Sequence, residues 1–291
     1  MRLRSIELNL SGAAEAADFL TGIWGLAPAE TGPDGTRYLR GSGPFPYLVA
    51  LTEADVPSIR CTTFVSDEAV VAGIAARARD AGWPVQDTVS GDPGGGAGIL
   101  VQLPEGEVFR FLYGAGEVAP ITGRDLPVKL THVVMNSTDA EATATAAEKV
   151  LGFRVSDRTK GMVFVRCNNS HHSVAFARAG HSSLNHVAFE MQDLDAVMRG
   201  IGRLRDSGMA PAWGPGRHGP GDNAFAYFVA PFGAVVEFST AVEIVSDDYH
   251  VGAPDDWTWP KNRIDQWGIS DKDVASLAAA ERNFRYRPLT V

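Results

Sequence analysis

The sequence predicts an α+β protein of two tandem domains, each made of paired βαβββ modules. Two observations support this class. The 291 residues are enough for about two ordinary domains, and the order of strand-like and helix-like segments in the first half of the chain recurs in the second. With 45% hydrophobic and 21% charged residues, the composition is that of a folded protein.

The first half contains two units in which a strand precedes a helix. Residues 3–9 alternate apolar and polar positions as a strand does, and residues 13–24 carry apolar positions at helical spacing. A second unit follows, with a strand over 58–65 and a helix over 68–82. Shorter strands complete the units, at 37–40, 46–51, 99–103 and 107–113.

The second half repeats this order. Strands are predicted over 130–136 and 183–191, followed by helices over 140–153 and 195–208. The segment LRSIELN overlays LTHVVMN, and SIRCTTFV overlays SLNHVAFE. We therefore predict an internal duplication. GMVFVR and HSVAFA are two further strands of the second half, and AFAYFVA and AVVEFST are its closing strands.

These patterns also predict the domain boundaries. An N-terminal domain covers 1–117, and a linker rich in Gly and Pro covers 118–127. The second domain covers 128–245. The remaining tail, 246–291, contains three of the six tryptophans, so we expect it to pack on the body, and it is a candidate lid.

Composition excludes several classes of function. The 26 basic and 35 acidic residues give a net charge of −9, which argues against nucleic-acid binding. No apolar run reaches the roughly 18 residues of a membrane span, and the start of the chain lacks a signal-peptide pattern. Two cysteines, Cys61 and Cys167, are too few for a disulfide framework. We expect a cytoplasmic protein that forms a homo-oligomer.

All seven histidines lie in the second half of the chain, and two of them occupy repeat-related positions. His132 and His186 lie on the opening strands of the two second-half modules, and Glu237 lies on the closing strand. Any one of these could be an ordinary strand residue. Two imidazoles and one carboxylate on neighbouring strands, however, form a facial triad that suits non-haem Fe(II), with Mn(II) sharing the same ligands. The equivalent first-half residues could not hold a metal; they are Ser5, Cys61 and Arg110.

Three further polar residues accompany the predicted triad. His172 precedes an apolar strand and could transfer a proton near physiological pH. Tyr227 could donate a hydrogen bond to a substrate oxygen, and His218 lies in a turn rich in Gly and Pro. A surface histidine at a hairpin, a core tyrosine and a turn histidine are equally good interpretations of these residues taken singly.

Across nearly its full length, the chain resembles the type I extradiol ring-cleaving dioxygenases of the vicinal oxygen chelate superfamily. The resemblance is strongest in LTHVVMN, in NNSHHSVAF with LNHVAFE, and in GPGRHGPGDNAFAYFVAPFGAVVEF. It implies a catalytic second domain that binds Fe(II) and opens a catechol ring beside its hydroxyls, incorporating both atoms of O₂. By position, it implies metal ligands at His132, His186 and Glu237, an acid–base histidine at His172, an active-site tyrosine at Tyr227 and a supporting histidine at His218.

The tail resembles that of the homoprotocatechuate 2,3-dioxygenases, but the chain differs from those enzymes at positions both in the tail and before it. Val134 replaces an Asn, Trp213 replaces an Arg, and Arg263 is the one arginine kept from a pair. The loss of positive charge favours a less charged or more apolar catechol. The predicted substrate contacts are Trp213, Arg263 and His171.

Two other functions stay open on the sequence. The same modules serve metal-dependent glyoxalase-like lyases or isomerases, which more often have a fourth protein ligand. A non-catalytic protein that binds aromatic ligands would need neither metal nor O₂. The Gly-rich segment 91–98 lacks the ending of a phosphate-binding loop and is predicted to be a hairpin.

Overall fold

A computed structural model describes residues 1–123 and 125–289. Arg124, within the predicted linker, and Thr290 and Val291, at the end of the predicted tail, lie outside the described residues. Two large mixed sheets dominate the structure, and each is accompanied by a few helices. The predicted α+β class with tandem βαβββ modules is confirmed.

The first sheet is formed by the first 113 residues together with one short strand from the tail. Its helices are α1 (Ala13–Phe19), which continues into a π-helical turn over Leu20–Trp24, and α2 (Glu68–Asp80). Its strands are β1 (Arg2–Leu10), β2 (Ala27–Thr31), β3 (Arg37–Arg40), β4 (Val49–Glu53), β5 (Ser58–Val65), β6 (Val85–Val89), β7 (Ala97–Gln102) and β8 (Val108–Tyr113).

The second sheet repeats these elements. Its helices are α3 (Ala140–Ala146), again followed by a π-helical turn, and α4 (Leu194–Asp206). The tail adds α5 (Val274–Ala280) and β17 (Arg285–Tyr286). The strands of the sheet are β9 (Lys129–Ser137), β10 (Arg154–Arg158), β11 (Met162–Arg166), β12 (Val174–Arg178), β13 (Ser183–Glu190), β14 (Trp213–Arg217), β15 (Ala224–Val229) and β16 (Val235–Thr240).

The two sheets have the same strand order. It is β2-β3-β4-β1-β5-β8-β7-β6 in the first sheet and β10-β11-β12-β9-β13-β16-β15-β14 in the second, while β17 pairs with β5. In each sheet the two long central strands are antiparallel, and each runs parallel to its other neighbour. The duplication read from the sequence is therefore present in the strand connections.

One hydrophobic core is continuous between the two halves. Trp24, at the end of the first π-helical turn, is fully buried and stacks on Phe238 of β16 at 3.7 Å between ring centroids and 11° between planes. Gly200 on α4 faces the same ring, and a Cβ there would lie 2.7 Å from it. The strand that carries Glu237 is thus backed by aromatic packing from the other half of the chain.

Apart from the short β17, the strands that the sequence does not predict are the edges of both sheets. β2, β6, β10 and β14 stand at the ends of the two strand orders. Edge strands bury less of their surface, so β2 and β6 are mostly exposed and lack a clear two-residue alternation. The segment between β6 and β7 is a hairpin, as predicted. Among the described residues, no helix combines the length and apolar character needed to cross a bilayer.

Candidate metal centre

One row of directly opposed residues crosses the second sheet and carries most of the candidate site. His132 opposes Ala188, Ala188 pairs with Glu237, Glu237 opposes Tyr227, and Tyr227 opposes Trp213. Opposed residues on neighbouring strands project from the same face of a sheet. The strand register alone therefore brings two candidate metal ligands, a phenol and an indole to one face.

Two β-bulges on the β9–β13 ladder lie beside the predicted histidine ligands. Asn185 is the extra residue before His186, and Thr131 is the extra residue before His132. Bulges of this kind redirect side chains and often lie next to active sites. The first sheet carries the extra residue at both equivalent positions, Arg4 and Arg60. The bulges therefore belong to the duplicated fold, whereas the histidines belong to the second half.

Three donor atoms converge on this face. Oε2 of Glu237 lies 3.2 Å from Nε2 of His132 and 3.1 Å from Nε2 of His186, and the two nitrogens are 3.3 Å apart. Bonds of about 2.1 Å to a single divalent ion would separate neighbouring ligand atoms by about 3.0–3.4 Å. All three residues are buried, with at most 5% exposure. The donor set therefore fits one metal ion.

Hydrogen bonds orient two of the three candidate metal ligands, His186 and Glu237. Nδ1–H of His186 donates to Oδ1 of Asn185 at 2.7 Å, which leaves the Nε2 lone pair for the centre. The Asn185 amide is itself fixed, because its Nδ2 donates to Asn136 at 2.8 Å. Nδ2 of Asn223 donates to Oε1 of Glu237 at 3.3 Å. Burial alone would raise the pKa of Glu237, but the adjacent His132 and His186 imidazoles hold it well below its usual value.

The centre opens into a cavity of about 580 Å³. His172 lines it with its ring 4.3 Å from that of His132. On another side, the hydroxyl of Tyr227 shares a hydrogen bond of 3.0 Å with Nε2 of His218. Burial lowers the pKa of His218 to about 3 and that of His172 well below its usual value, so both imidazoles are neutral. The cavity therefore presents neutral proton donors and acceptors around the three converging ligands.

Two of the three predicted substrate contacts line this cavity. Trp213 stacks on Tyr227 with 5.2 Å between ring centroids, and Arg263 reaches the cavity from the tail. His171 does not line it: the residue is fully buried, with its Nδ1 3.0 Å from Nδ1 of His172 and its Nε2 2.6 Å from Oδ2 of Asp157. The predicted substrate contact at His171 is therefore not among the residues that line the cavity. Further tail residues in the lining are Trp259, Ile264, Lys272, Leu277 and Glu281.

Several residues that serve this site gave little signal in the sequence. Asn185 acts through a bulge that periodicity does not reveal, and Asn223 lies in the turn-rich segment before β15. Lys272 reaches the cavity through an isolated bridge to Trp213, with its Nζ 4.1 Å from the indole ring centroid. Lys272 thus adds a cation to a cavity that the sequence predicts to have lost positive charge.

The equivalent place in the first sheet is filled by an ion-pair cluster. Arg110 donates to Asp92 at 2.7 Å and to the hydroxyl of Thr63 at 3.0 Å, and it also forms an ion pair with Glu7. Burial opposes ionisation of Asp92, but Arg110 lowers its pKa to about 2. Among the described residues, the cluster suited to a metal is the triad of the second sheet.

Fold and donor set together define a duplicated βαβββ protein with one His-His-Glu centre. The family model described as "Glyoxalase/Bleomycin resistance protein/Dioxygenase superfamily" matches residues 129–238, which include all three donors. A solved structure, the Mn(II)-bound glyoxalase from Novosphingobium aromaticivorans, is 31% identical, with a TM-score of 0.86 over 94% of this chain and 92% of that one. The chain belongs to this superfamily, also known as the vicinal oxygen chelate superfamily, as its sequence predicted.

Curated relatives carry the names of ring-cleaving dioxygenases. Metapyrocatechase 2 from Cupriavidus necator is 27% identical over 50% of this chain, an alignment that spans only 46% of that protein. Biphenyl-2,3-diol 1,2-dioxygenase from Paraburkholderia xenovorans is 27% identical over 93% of this chain and 95% of its own length. The similarity to dioxygenases thus extends through both halves, at low identity.

Proposed function

We propose that the chain is a metal-dependent extradiol dioxygenase that opens the ring of a catechol-type diol beside its hydroxyls. The observation that carries this proposal is the convergence of His132, His186 and Glu237 on one face of the cavity, with His172 and Tyr227 around them. A facial set of two histidines and one carboxylate leaves adjacent positions free for a diol and O₂. The names of the dioxygenase relatives support it.

His132, His186 and Glu237 would hold Fe(II), or Mn(II) as the alternative with the same ligands. The bound metal would supply close placement of the diol and O₂ and electron transfer between them. One diol and one O₂ give one ring-opened product that contains both oxygen atoms, so the overall reaction requires no external reductant. The protein must therefore orient the diol and manage its protons.

The residues around the triad are suited to that work. His172 is neutral, so it can take a proton from a diol hydroxyl and return it later. The pair of Tyr227 and His218 can donate hydrogen bonds to oxygens that gain negative charge. Trp213 adds aromatic surface to the cavity lining, where an aromatic ring could pack.

A glyoxalase-like lyase or isomerase is the second candidate. It is favoured by the relative named a glyoxalase, which is 31% identical over 94% of this chain. Such a reaction moves protons between neighbouring carbons and consumes no O₂. A protein that binds aromatic ligands without turnover is the third candidate, and it would need no metal.

Oxygen uptake separates these functions. We would purify the protein without oxygen, load it with Fe(II) or Mn(II), measure bound metal and assay a panel of catechols for O₂ consumption and yellow ring-fission products. Extradiol cleavage predicts one O₂ consumed per diol. Turnover of a hemithioacetal without O₂ would assign the lyase function instead, and neither activity together with catechol binding would favour the binding protein.

The ligand assignment has a matched control in the duplicated fold. His186→Ala should lose bound metal and O₂ uptake, whereas Cys61→Ala, at the equivalent position of the first sheet, should retain both. Stoichiometric metal in His186→Ala would overturn the assignment. His172→Phe should keep its metal while turnover falls by about 10² or more.

A further inference from the structure

Three buried side chains form a hydrogen-bonded chain that ends at the cavity. Oδ2 of Asp157, on β10, lies 2.6 Å from Nε2 of His171, and Nδ1 of His171 lies 3.0 Å from Nδ1 of His172. Asp157 and His171 are fully buried, and His172 is 2% exposed. Of the three, only His172 lines the cavity.

The partners of Asp157 establish the direction of this chain of hydrogen bonds. Its Oδ1 accepts from the backbone N–H of Gly252 at 2.7 Å, and its Oδ2 accepts from the hydroxyl of Tyr249 at 3.2 Å. A carboxylate is an acceptor, so Nε2 of His171 carries the proton that it donates to Asp157. With a single ring proton, held at Nε2, His171 has a lone pair on Nδ1.

The second hydrogen bond follows from the first. Nδ1 of His171 accepts, so Nδ1 of His172 must carry a proton and donate it. In a neutral imidazole, this leaves the lone pair on Nε2, the nitrogen of His172 that is left for the cavity. An imidazole in the opposite tautomer would present an N–H there and could not accept a proton.

Packing holds the two rings in this contact. Gly221 adopts a left-handed conformation with φ +76°, and a Cβ there would lie 3.0 Å from Nδ1 of His171 and 3.1 Å from Nδ1 of His172. Phe164 packs against both rings, with 5.8 and 5.2 Å between ring centroids. The contact between the two Nδ1 atoms is therefore enclosed by protein.

We propose that Asp157 and His171 are positioning residues that fix the tautomer of His172, so that its Nε2 faces the cavity as a proton acceptor. The use of that acceptor rests on the proposed dioxygenase function, whereas the tautomer itself does not. Asp157 and His171 do not touch the substrate in this arrangement, since they lie behind His172.

Asp157→Asn tests this chain of hydrogen bonds, because it should reverse the direction of the Asp157–His171 and His171–His172 bonds. The N–H of Gly252 can only donate, so it would hold the amide oxygen of Asn at its side and turn the amide nitrogen toward His171. His171 would then accept at Nε2 and donate from Nδ1, which forces the proton of His172 onto Nε2. The side chain keeps its shape, so folding should be preserved.

Two readouts follow this reversal. In ¹⁵N-histidine-labelled protein loaded with diamagnetic Zn(II), two-bond ¹H–¹⁵N spectra report which ring nitrogens carry protons, with His172→Phe identifying the His172 signals. The parent should show a protonated Nδ1 at His172, and Asp157→Asn a protonated Nε2. With Fe(II), kcat of the variant should fall by about 10²–10⁴, with KM changed by less than about threefold.

Tyr249→Phe is the matched control. It removes a donor from the same carboxylate but leaves Asp157 as an acceptor, so it should keep the parent tautomer and most of kcat. An unprotonated Nε2 of His172 in the Asp157→Asn variant would overturn the proposal, as would an unchanged kcat. If no catechol is turned over by the parent, the proposed function fails, while the spectra still decide the tautomer.

Discussion

Arg110 occupies in the first sheet the position that Glu237 occupies in the second. Arg110 pairs with Thr63 across β5 and β8 as Glu237 pairs with Ala188 across β13 and β16. The same buried place thus holds a guanidinium in one half and a carboxylate in the other. Each charge has a different set of partners, which are acids around Arg110 and imidazoles around Glu237.

Replacing Arg110 by Met should destabilise the fold without affecting metal content. The change leaves Glu7 and Asp92 without their buried cation, so the free energy of unfolding should fall by about 3–5 kcal/mol. Each kcal/mol lost should lower Tm by roughly 2–4 °C. Thermal unfolding and metal analysis measure the two effects. Arg79→Met, which breaks an exposed pair with Asp87, should cost at most about 1 kcal/mol. Equal losses in the two variants would contradict the role given to the cluster.

Glu107 should make the fold less stable as pH rises. Its carboxyl is fully buried, and burial raises its pKa to about 7 from 4.5. The folded state therefore binds the proton more tightly than the unfolded state, and stability falls between about pH 4.5 and 7. The free energy of unfolding of Glu107→Gln should match that of the parent near pH 4.5 and exceed it by about 3 kcal/mol at pH 8. Unfolding by denaturant at both pH values measures this difference.

Glu105 provides a control of opposite sign for Glu107. Burial would raise its pKa, but hydrogen bonds from Thr138 and Ser182 hold it below its usual value. Its contribution to stability is therefore present at neutral pH and lost as pH falls through its folded pKa. Glu105→Gln should be less stable than the parent at pH 8, with a difference that shrinks in acid. If both Glu105→Gln and Glu107→Gln were more stable than the parent at pH 8, the effect would come from removing any acid and not from the burial of Glu107.

Gly221→Ala should reduce turnover while leaving the metal bound. The new Cβ would press on both imidazoles of the His171–His172 contact, and displacements of about 1 Å in an active site can cost about 10² in rate. The left-handed conformation adds roughly 1 kcal/mol of strain. Gly208→Ala has the same kind of strain, with φ +84° but open space around the Cβ, and should keep full turnover. Similar kcat values for the two variants would count against the contact.

Lys272 should select for a negatively charged substituent on the diol. Its ammonium lies over Trp213, which is two strands beyond Glu237 on the same row. Lys272→Met should raise KM about tenfold for a catechol that bears a carboxylate, about 1.4 kcal/mol, and leave KM for unsubstituted catechol unchanged. Lys261→Met, which removes an exposed tail lysine, should change neither value. An equal shift for both substrates would indicate a purely structural role.

The sequence predicts the metal triad well because duplication supplies a reference. His132 and His186 lie on strands whose registers match those of β1 and β5, so their equivalents in the other half could be named by simple overlay. The central strands are long and buried, and their pattern is correspondingly clear.

The residues that the sequence does not reveal act through tertiary contacts. Asp157 lies on an edge strand with a bulge, and it meets His171 only after β10 has paired with β11. Lys272 belongs to the tail and is held beside the cavity by one isolated β-bridge between its backbone and that of Trp213. His171 was predicted to contact substrate, but the fold buries it between Asp157 and His172, outside the residues that line the cavity.

Because Trp24 stacks on Phe238, the half of the chain without the His-His-Glu residues also supports the structure of the site. Phe238 directly follows Glu237, so the aromatic ring from the first half stiffens the segment that presents the carboxylate. A shortened protein that began at the linker would expose that aromatic surface to water. Miniaturising this scaffold would therefore have to start with a substitute for the missing indole, before any change to the reaction centre.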